Sequence, residues 1–451
     1  MRPAIVWLRD DLRLADNPAL AAAIARGGPV IPLYVLDDAA AGAWRIGGAG
    51  RWWLERSLAA LAAALEERGG RLIRRAGDSR AVVDAVVAET GADAVFWNRR
   101  YTPSGIAQDT SIKAALRARG VEVRSFRAAV LVEPMAVEGR GLSFSAFFER
   151  WQGLARPMPP SPAPERLEVP AIASDPLDLL PADAPLWTPK LATAWAVGER
   201  AARQRLERFL EAGVGGYGKG RHAPSGEHVS GLSPHLRWGE IGPDAVCRAV
   251  PERQGFAFVR QLAWREYGTY LLFKEPDLPE VELMADRRGI AWRDDPAGLR
   301  AWQRGLTGYD LVDAGMRQLW ATGWMHNRTR MVTASFLTKH LLIDWRLGQR
   351  WFWETLVDAD LANNAMGWQW SASVGADARG IVRIFDPVGQ AERFDAEGLY
   401  RRRWLGDAPR PAPIVEHRAA RERALAAYAA GSPTTKAEPP DGPASTSSEA
   451  P

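Results

Sequence analysis

A single cysteine, Cys247, and only six histidines occur in 451 residues. One thiol cannot form an intramolecular disulfide, so no crosslinked framework is expected, and the composition fits a reducing cytoplasm. The same scarcity argues against a structural zinc site, and no metal is expected. Long apolar runs are missing as well. The amino terminus, Met1 to Asp11, turns charged after a very short apolar stretch, which predicts neither a signal peptide nor a membrane span. Charge is nearly balanced, with a net of +4 and a pI near 9.3, so modest attraction to a polyanion is allowed but not established by composition. No repeat of solenoid period is present. With 47% hydrophobic residues the chain has enough apolar material for two or three domains.

Short apolar runs at 4–8, 31–36, 71–75, 94–98 and 121–126 alternate with helical patterns, the clearest at 52–68. Such alternation builds a parallel sheet covered on both faces, so residues 1–130 are predicted to form a Rossmann-like α/β domain. A connector follows at 131–192, and its proline-rich part, 156–190, reads as an extended segment wrapped on the surface. Residues 193–430 are predicted to be an all-α domain, with helices near 199–212, 255–273, 308–320, 327–343 and 349–361. Residues 431–451, rich in Pro, Ser, Thr and Glu, read as a disordered tail.

Two glycine motifs mislead. Gly213 to Gly218 matches G-x-G-x-x-G and, with Lys219, nearly completes a P-loop, but it follows a helix and has Gly220 where a P-loop needs Ser or Thr. It is read as a helix stop and turn that leaves Tyr217 and Arg221 free to face a ligand. Conversely, Arg9-Asp10-Asp11 follows the first strand where a nicotinamide domain carries its glycine fingerprint, so no such domain is expected.

What the chain has in abundance is tryptophan. Ten of twenty lie between Trp264 and Trp370, threaded through Trp-Met-His-Asn-Arg (324–328), Asp-Ala-Asp-Leu-Ala-Asn-Asn (358–364) and Gly-Trp-Gln-Trp (367–370). For any single tryptophan, core packing is the more common role. Interleaved with carboxamides, acids and arginines, the set points to a pocket for a large planar ligand. Ser230-Gly-Leu-Ser-Pro234 precedes a helix beginning near His235; hydroxyls there cap a helix, and its free N–H groups suit a phosphate. Asp358 and Asp360 offer acceptors for ribose hydroxyls or partners for Arg328 and Arg330, and the neutral Asn364 can bond a flavin-like edge without imposing charge. Trp264, Arg265, Asn327, Arg328 and Trp370 would, if convergent, form an aromatic wall with basic and amide groups, suited to stacking a base and pairing a phosphate.

At these residues, and from Ile5 to Arg418, the chain resembles the photolyase and cryptochrome family, most like its bacterial enzymes for cyclobutane pyrimidine dimers; the stretch 316–370 is the most specific. The resemblance implies an α/β domain that often carries an antenna chromophore, with a folate, a deazaflavin or an empty site as the alternatives and Trp97-Asn-Arg-Arg-Tyr101 matching the antenna-domain pattern, and a helical domain holding reduced FAD non-covalently. It places Tyr217, Val229, Ser230, Gly231, Leu232, Ser233, Asn327, Arg330, Asp358, Ala359, Asp360 and Asn364 at FAD, with Asn364 near the ring edge. Trp368, Trp345 and Trp292 match a three-tryptophan electron chain. Arg221, Gln261, Trp264, Arg265, Asn327, Arg328, Met331, Trp370, Arg383 and Gln390 match positions facing damaged DNA. A monomer is implied.

Several positions depart from the family pattern. Gln261 stands where dimer-repair enzymes usually carry glutamate, as in enzymes acting on the 6-4 photoproduct, whereas Met331 replaces the histidine those enzymes use. Residues 378–382, Ala-Arg-Gly-Ile-Val, replace Ala-Ala-Pro-Tyr-Phe; Asp386 replaces an asparagine; Val229 lacks a threonine hydroxyl. The expected activity is light-driven splitting of cyclobutane pyrimidine dimers in DNA. The alternatives are a cryptochrome-like blue-light photoreceptor, or repair of the 6-4 photoproduct.

Overall fold

The computed structural model describes all residues except 177–178, 181–187, 377–381, 408 and 432–451. The predicted tail thus falls outside the described residues but for Gly431, as does most of the divergent 378–382 segment.

Five parallel strands, β1 (Ala4–Leu8), β2 (Val30–Leu36), β3 (Ile73–Ala76), β4 (Ala94–Asn98) and β5 (Glu122–Phe126), form one sheet in the order β3-β2-β1-β4-β5. Trp7 lies opposite Leu33 on one side and Trp97 on the other. β1 and β4 are buried at every residue, because both faces are covered and their side chains alternate between two cores. Val6, Leu8 and Phe96 enter the core shared with the Gly48–Glu66 helix, while Ile5, Trp7, Val95 and Trp97 enter the other. The strand order reverses between β1 and β4, where open α/β sheets take ligands. Here that crevice is filled from within. Arg9 pairs with Asp109 at 2.5 Å, Trp97 Nε1 donates to Asp109 at 2.8 Å, and Asn98 Nδ2 donates to Asp11 and Asn17 at 2.6 and 2.8 Å. About 70 Å³ of open space remains in this crevice, lined by Asp10, Arg100, Tyr101 and Arg237 among others.

The connector is extended only in part. It opens with an amphipathic helix, Phe144–Leu154, which buries Phe144, Phe147 and Trp151. Beyond it the chain laces along the α/β domain: Ser161 N–H donates to Asp16, Leu167 N–H to Arg68, and Asp175 N–H to Arg74 at the outer edge of β3. Leu167 and Ile172 are buried as pegs in the two sheet cores.

The remainder is helical. Residues 199–220 do not stop at the glycines, as the sequence suggests; the helix Glu199–Arg208 loosens into a π turn at Phe209–Gly213, tightens through Val214–Gly216, and resumes at Tyr217–Gly220. Glycine tolerates this change of pitch because the rings pack there: a Cβ on Gly216 would lie 2.4 Å from the His228 ring. The helix predicted at 349–361 is also corrected. It runs Trp345–Thr355, and Asp360 begins the next helix, Leu361–Ala372, by accepting the Asn363 N–H at 2.9 Å. Residues 356–360 are therefore a turn, which frees Asp358 and Asp360 from a helical face. The largest core gathers Trp302, Trp345, Phe352 and Trp368, with Trp292 at its margin.

Candidate functional site: a flavin-sized cavity with an aromatic mouth

A cavity of about 530 Å³ opens in the helical body, within the size range of cofactor sites. Its walls come from four places distant in sequence: the Tyr217–Gly220 turn with residues 229–237, the Glu252–Lys274 helix, residues 324–334, and the 356–371 turn and helix.

One wall presents backbone N–H groups, hydroxyls and carboxylates. Gly231 adopts φ +62°, a backbone conformation that side chains rarely take, beside the tip of Arg205. The Ser230 hydroxyl accepts the Leu232 N–H at 3.2 Å, inside this turn. Serine does not cap the following helix, contrary to expectation: Leu232 is the cap residue and offers no side-chain bond, while Ser233 Oγ accepts from Trp324 Nε1 at 3.1 Å. The leading N–H groups of Ser233–Arg237 are thereby free of a side-chain cap beside the cavity. Opposite them, Arg330 holds Asp358 through one nitrogen at 2.8 and 3.1 Å. Arg237, which the sequence reading passed over, donates to the Ala359 carbonyl at 2.6 Å and pairs with Asp10 at 2.7 Å, tying this wall to the α/β domain.

Part of the lining is apolar, from Phe352, Leu356 and Trp368, with the Asn364 carboxamide beside them. Asn364 Nδ2 donates to the Gln349 carbonyl at 3.0 Å, which fixes the amide. Trp368 lines the cavity and packs edge-on against Phe352, with centroids 5.0 Å apart. Its six-membered ring lies against Gly348, where a Cβ would come within 2.1 Å, and Gly348 is one turn from Trp345. Trp345 is fully buried, and Trp292 is half-buried and meets Tyr428 edge-on at 6.1 Å. Neither lines the cavity, but both share the core that contains Trp368.

Gln261, Trp264, Arg265, Asn327, Met331 and Trp370 line the same cavity, with Tyr217, Arg221 and Val229. Trp264 is backed by Phe144 in a parallel stack with 3.7 Å between centroids. The adjacent Glu266 is buried and receives the Leu131 and Val132 N–H groups at 2.5 and 3.0 Å and Trp151 Nε1 at 2.7 Å. Burial pushes this carboxyl up to about 7 against those three donors, and the bonds clamp the Trp264 helix to the connector. His326 is held neutral: burial, with Arg330 and Arg328 nearby, lowers it to about 4. Its Nδ1 accepts the Arg328 N–H at 3.1 Å.

Three DNA-facing candidates stand outside the cavity lining. Arg328 contacts His222 at 2.9 Å and lies 4.1 Å over the Phe394 ring; Arg383 lies 4.4 Å over Trp370; Gln390 is half-buried in the Pro387–Phe394 helix. Asn363, half of the Asn-Asn pair whose second member drew the assignment, also lines the cavity and bonds Asp360 at 2.6 Å.

Comparison with known proteins agrees with this geometry. Residues 258–410 match the FAD binding domain of DNA photolyase and residues 4–165 match the DNA photolyase family. The chain is 44% identical to the deoxyribodipyrimidine photo-lyase of Agrobacterium fabrum, over 96% of this chain and 99% of that protein. It is 39% identical to cryptochrome-1 of Arabidopsis thaliana, over 92% of this chain and 64% of that one. The solved structure of a bacterial class III photolyase from Agrobacterium tumefaciens superposes with a TM-score of 0.90 at 43% identity, covering 96% of this chain and 98% of that one. The uncapped N–H groups, the paired acids and the fixed amide around the cavity suit the phosphates, ribose and ring edge of FAD, which the family's helical domain binds. This chain belongs to the photolyase and cryptochrome family and is an FAD-binding flavoprotein.

Proposed function

We propose that this protein is a light-driven DNA repair lyase that splits cyclobutane pyrimidine dimers. The observation that carries this reading is that one cavity has both a floor fitted to a flavin and a base-stacking wall at its mouth, Trp264 and Trp370 with Gln261, Asn327 and Met331. A lesion inside a duplex reaches such a floor only by leaving the stack, and aromatic walls repay part of that cost, about 1–3 kcal/mol per stacked base. Reduced FAD, when bound, supplies an electron under light that opens the cyclobutane ring and is then returned.

The protein's own residues position and insulate. Tyr217, the 229–233 turn, Arg330, Asp358, Asp360 and Asn364 hold the cofactor. Gln261 donates to a pyrimidine carbonyl but carries no charge, so the excess electron on the lesion is stabilised by a neutral amide. Trp368, Trp345 and Trp292 bring electrons from the surface to the flavin. Arg221, Arg328 and Arg383 meet the DNA backbone, which makes affinity fall with salt. The long similarity to cryptochrome-1 supports a second reading, a blue-light photoreceptor built on the same flavin and tryptophans.

The test is repair of a thymine cyclobutane dimer in DNA by the photoreduced flavoprotein under blue light, beside a dark control. Light-dependent dimer loss is expected. No loss with fully reduced flavin, on this lesion, would overturn the dimer-repair reading, and the 6-4 photoproduct and light-dependent protein partners would be assayed next.

A further inference from the structure

The proposed electron chain contains three indoles in three different electrostatic settings. Trp368 Nε1 is buried and has no hydrogen-bond partner among the described residues. Trp292 is half-buried beside the phenol ring of Tyr428. Trp345, between them, is 0% exposed, and its Nε1 donates at 3.2 Å to Oε1 of Glu282, itself 5% exposed. The other Glu282 oxygen receives Arg346 at 2.8 Å, and Arg346 also grips Asp344 at 3.1 Å. The Arg346 guanidinium stands 4.6 Å over the Trp345 ring, and Arg288 donates to the Glu282 backbone carbonyl at 3.2 Å. A carboxylate thus sits against the Trp345 nitrogen, while the guanidinium bonded to its other oxygen lies over the ring face.

Building on the electron chain proposed above, we infer that Glu282 is a positioning residue that lowers the energy of positive charge on Trp345 relative to Trp368 during flavin photoreduction. After Trp368 has given one electron to the photoexcited oxidised flavin, one electron passes from Trp345 to Trp368. Trp368 becomes neutral and Trp345 a radical cation; no bond breaks, and the indole proton stays in its hydrogen bond. A negative charge against that N–H favours the forward step, because a unit charge in a buried site acts strongly over so short a distance. Among the described residues no carboxylate bonds the Trp368 nitrogen, so the step runs outward. Trp292 then refills Trp345 from the surface.

The experiment uses the full chain loaded with oxidised FAD, without DNA, and follows tryptophan radical cations by transient absorption. Trp292→Phe stops the charge at Trp345. Adding Glu282→Gln keeps a hydrogen-bond acceptor but removes the charge, and the Trp345 radical is expected to decay about tenfold faster by return to the flavin. Glu282→Asp restores the longer lifetime, and Arg346→Gln, which removes the opposing cation, lengthens it. Unchanged flavin absorption and fluorescence lifetime report an intact site and an intact first step from Trp368. An equal radical lifetime with and without Glu282→Gln would overturn the inference. Full photoreduction by Trp345→Phe would overturn the electron chain itself, and neither result bears on dimer repair.

Discussion

Arg330 and Asp358 show how much of this site depends on single pairings. The Asp358 side chain is 4% exposed and receives both bonds from one guanidinium nitrogen. Arg330→Met would leave a nearly buried carboxylate without its cation. Because Arg330 keeps 24% of its side chain in solvent, the expected loss is about 2 kcal/mol, below that of a fully buried pair. A urea unfolding midpoint measures it, and the flavin retained after gel filtration should fall in parallel. The double change with Asp358→Leu should recover part of the stability but none of the flavin, which would separate the structural role of the pair from the cofactor role proposed for it. Asn327, Arg330, Asp358, Asp360 and Asn364 are readable in the sequence because they cluster within 45 residues. Glu282 is not: it lies in an irregular stretch with no periodicity and meets its indole 63 positions away.

The helix Trp345–Thr355 packs against Leu361–Ala372 through the smallest residue at the crossing. Gly348 lies under the Trp368 ring, and Gly348→Ala would place a methyl 2.1 Å from it. The ring must move or the helices part, at a cost of about 1–3 kcal/mol. Slower flavin photoreduction together with a lower thermal midpoint is expected; a change in midpoint alone would mean that Trp368 keeps its place. At this scale the sequence was a good guide to strands and a poorer one to helix ends. β1 and β4 coincide with their apolar runs because a strand buried on both faces must be continuously apolar. Apolar periodicity persists past the point where a helix stops, so 349–361 reads as one helix. The actual break depends on Leu356 turning extended and Asp360 capping its successor. The π turn at 209–213 escapes notice for a related reason, since Phe209 carries on the apolar pattern of Ala202 and Leu206 into the same core.

For the molecule as a whole, pH is the most direct probe of how burial is distributed. Burial, with His417 and Arg423 nearby, holds His340 at about 4, as burial and arginines hold His326. An unfolded chain protonates these rings below their ordinary 6.5 and the folded chain does not, so their stabilisation is present above 6.5 and is lost as pH falls toward 4. Glu266, raised to about 7, acts in the opposite sense: the folded state holds its proton more tightly, so this contribution is present below 4.5 and is lost as pH rises to 7. Two histidines outweigh one carboxyl, and stability is expected to fall by on the order of 3 kcal/mol between pH 6.5 and 4. Urea titrations at pH 7.5, 5.5 and 4.5 measure the slope, and His340→Gln should flatten it. The two-part architecture, parallel sheet then helices, was legible from alternation against pure helical periodicity. The filled crevice between β1 and β4 was not, since it depends on Asp109 reaching Arg9 across a hundred positions.

The lacing of the connector along β3 also bears on how the protein is made. Arg74 in that edge strand bonds Ser174 and Asp175, and the start of β2 bonds Glu168. At ~10 residues per second, synthesis leaves the strand waiting on the order of ten seconds for the segment that shields it. During that interval the nascent sheet presents an open edge, the kind of surface on which neighbouring chains on a polysome pair. Only four residues long, with Arg74 and Arg75 at its centre, β3 is poorly suited to such pairing. Its shortness and charge guard the unfinished chain until the connector arrives.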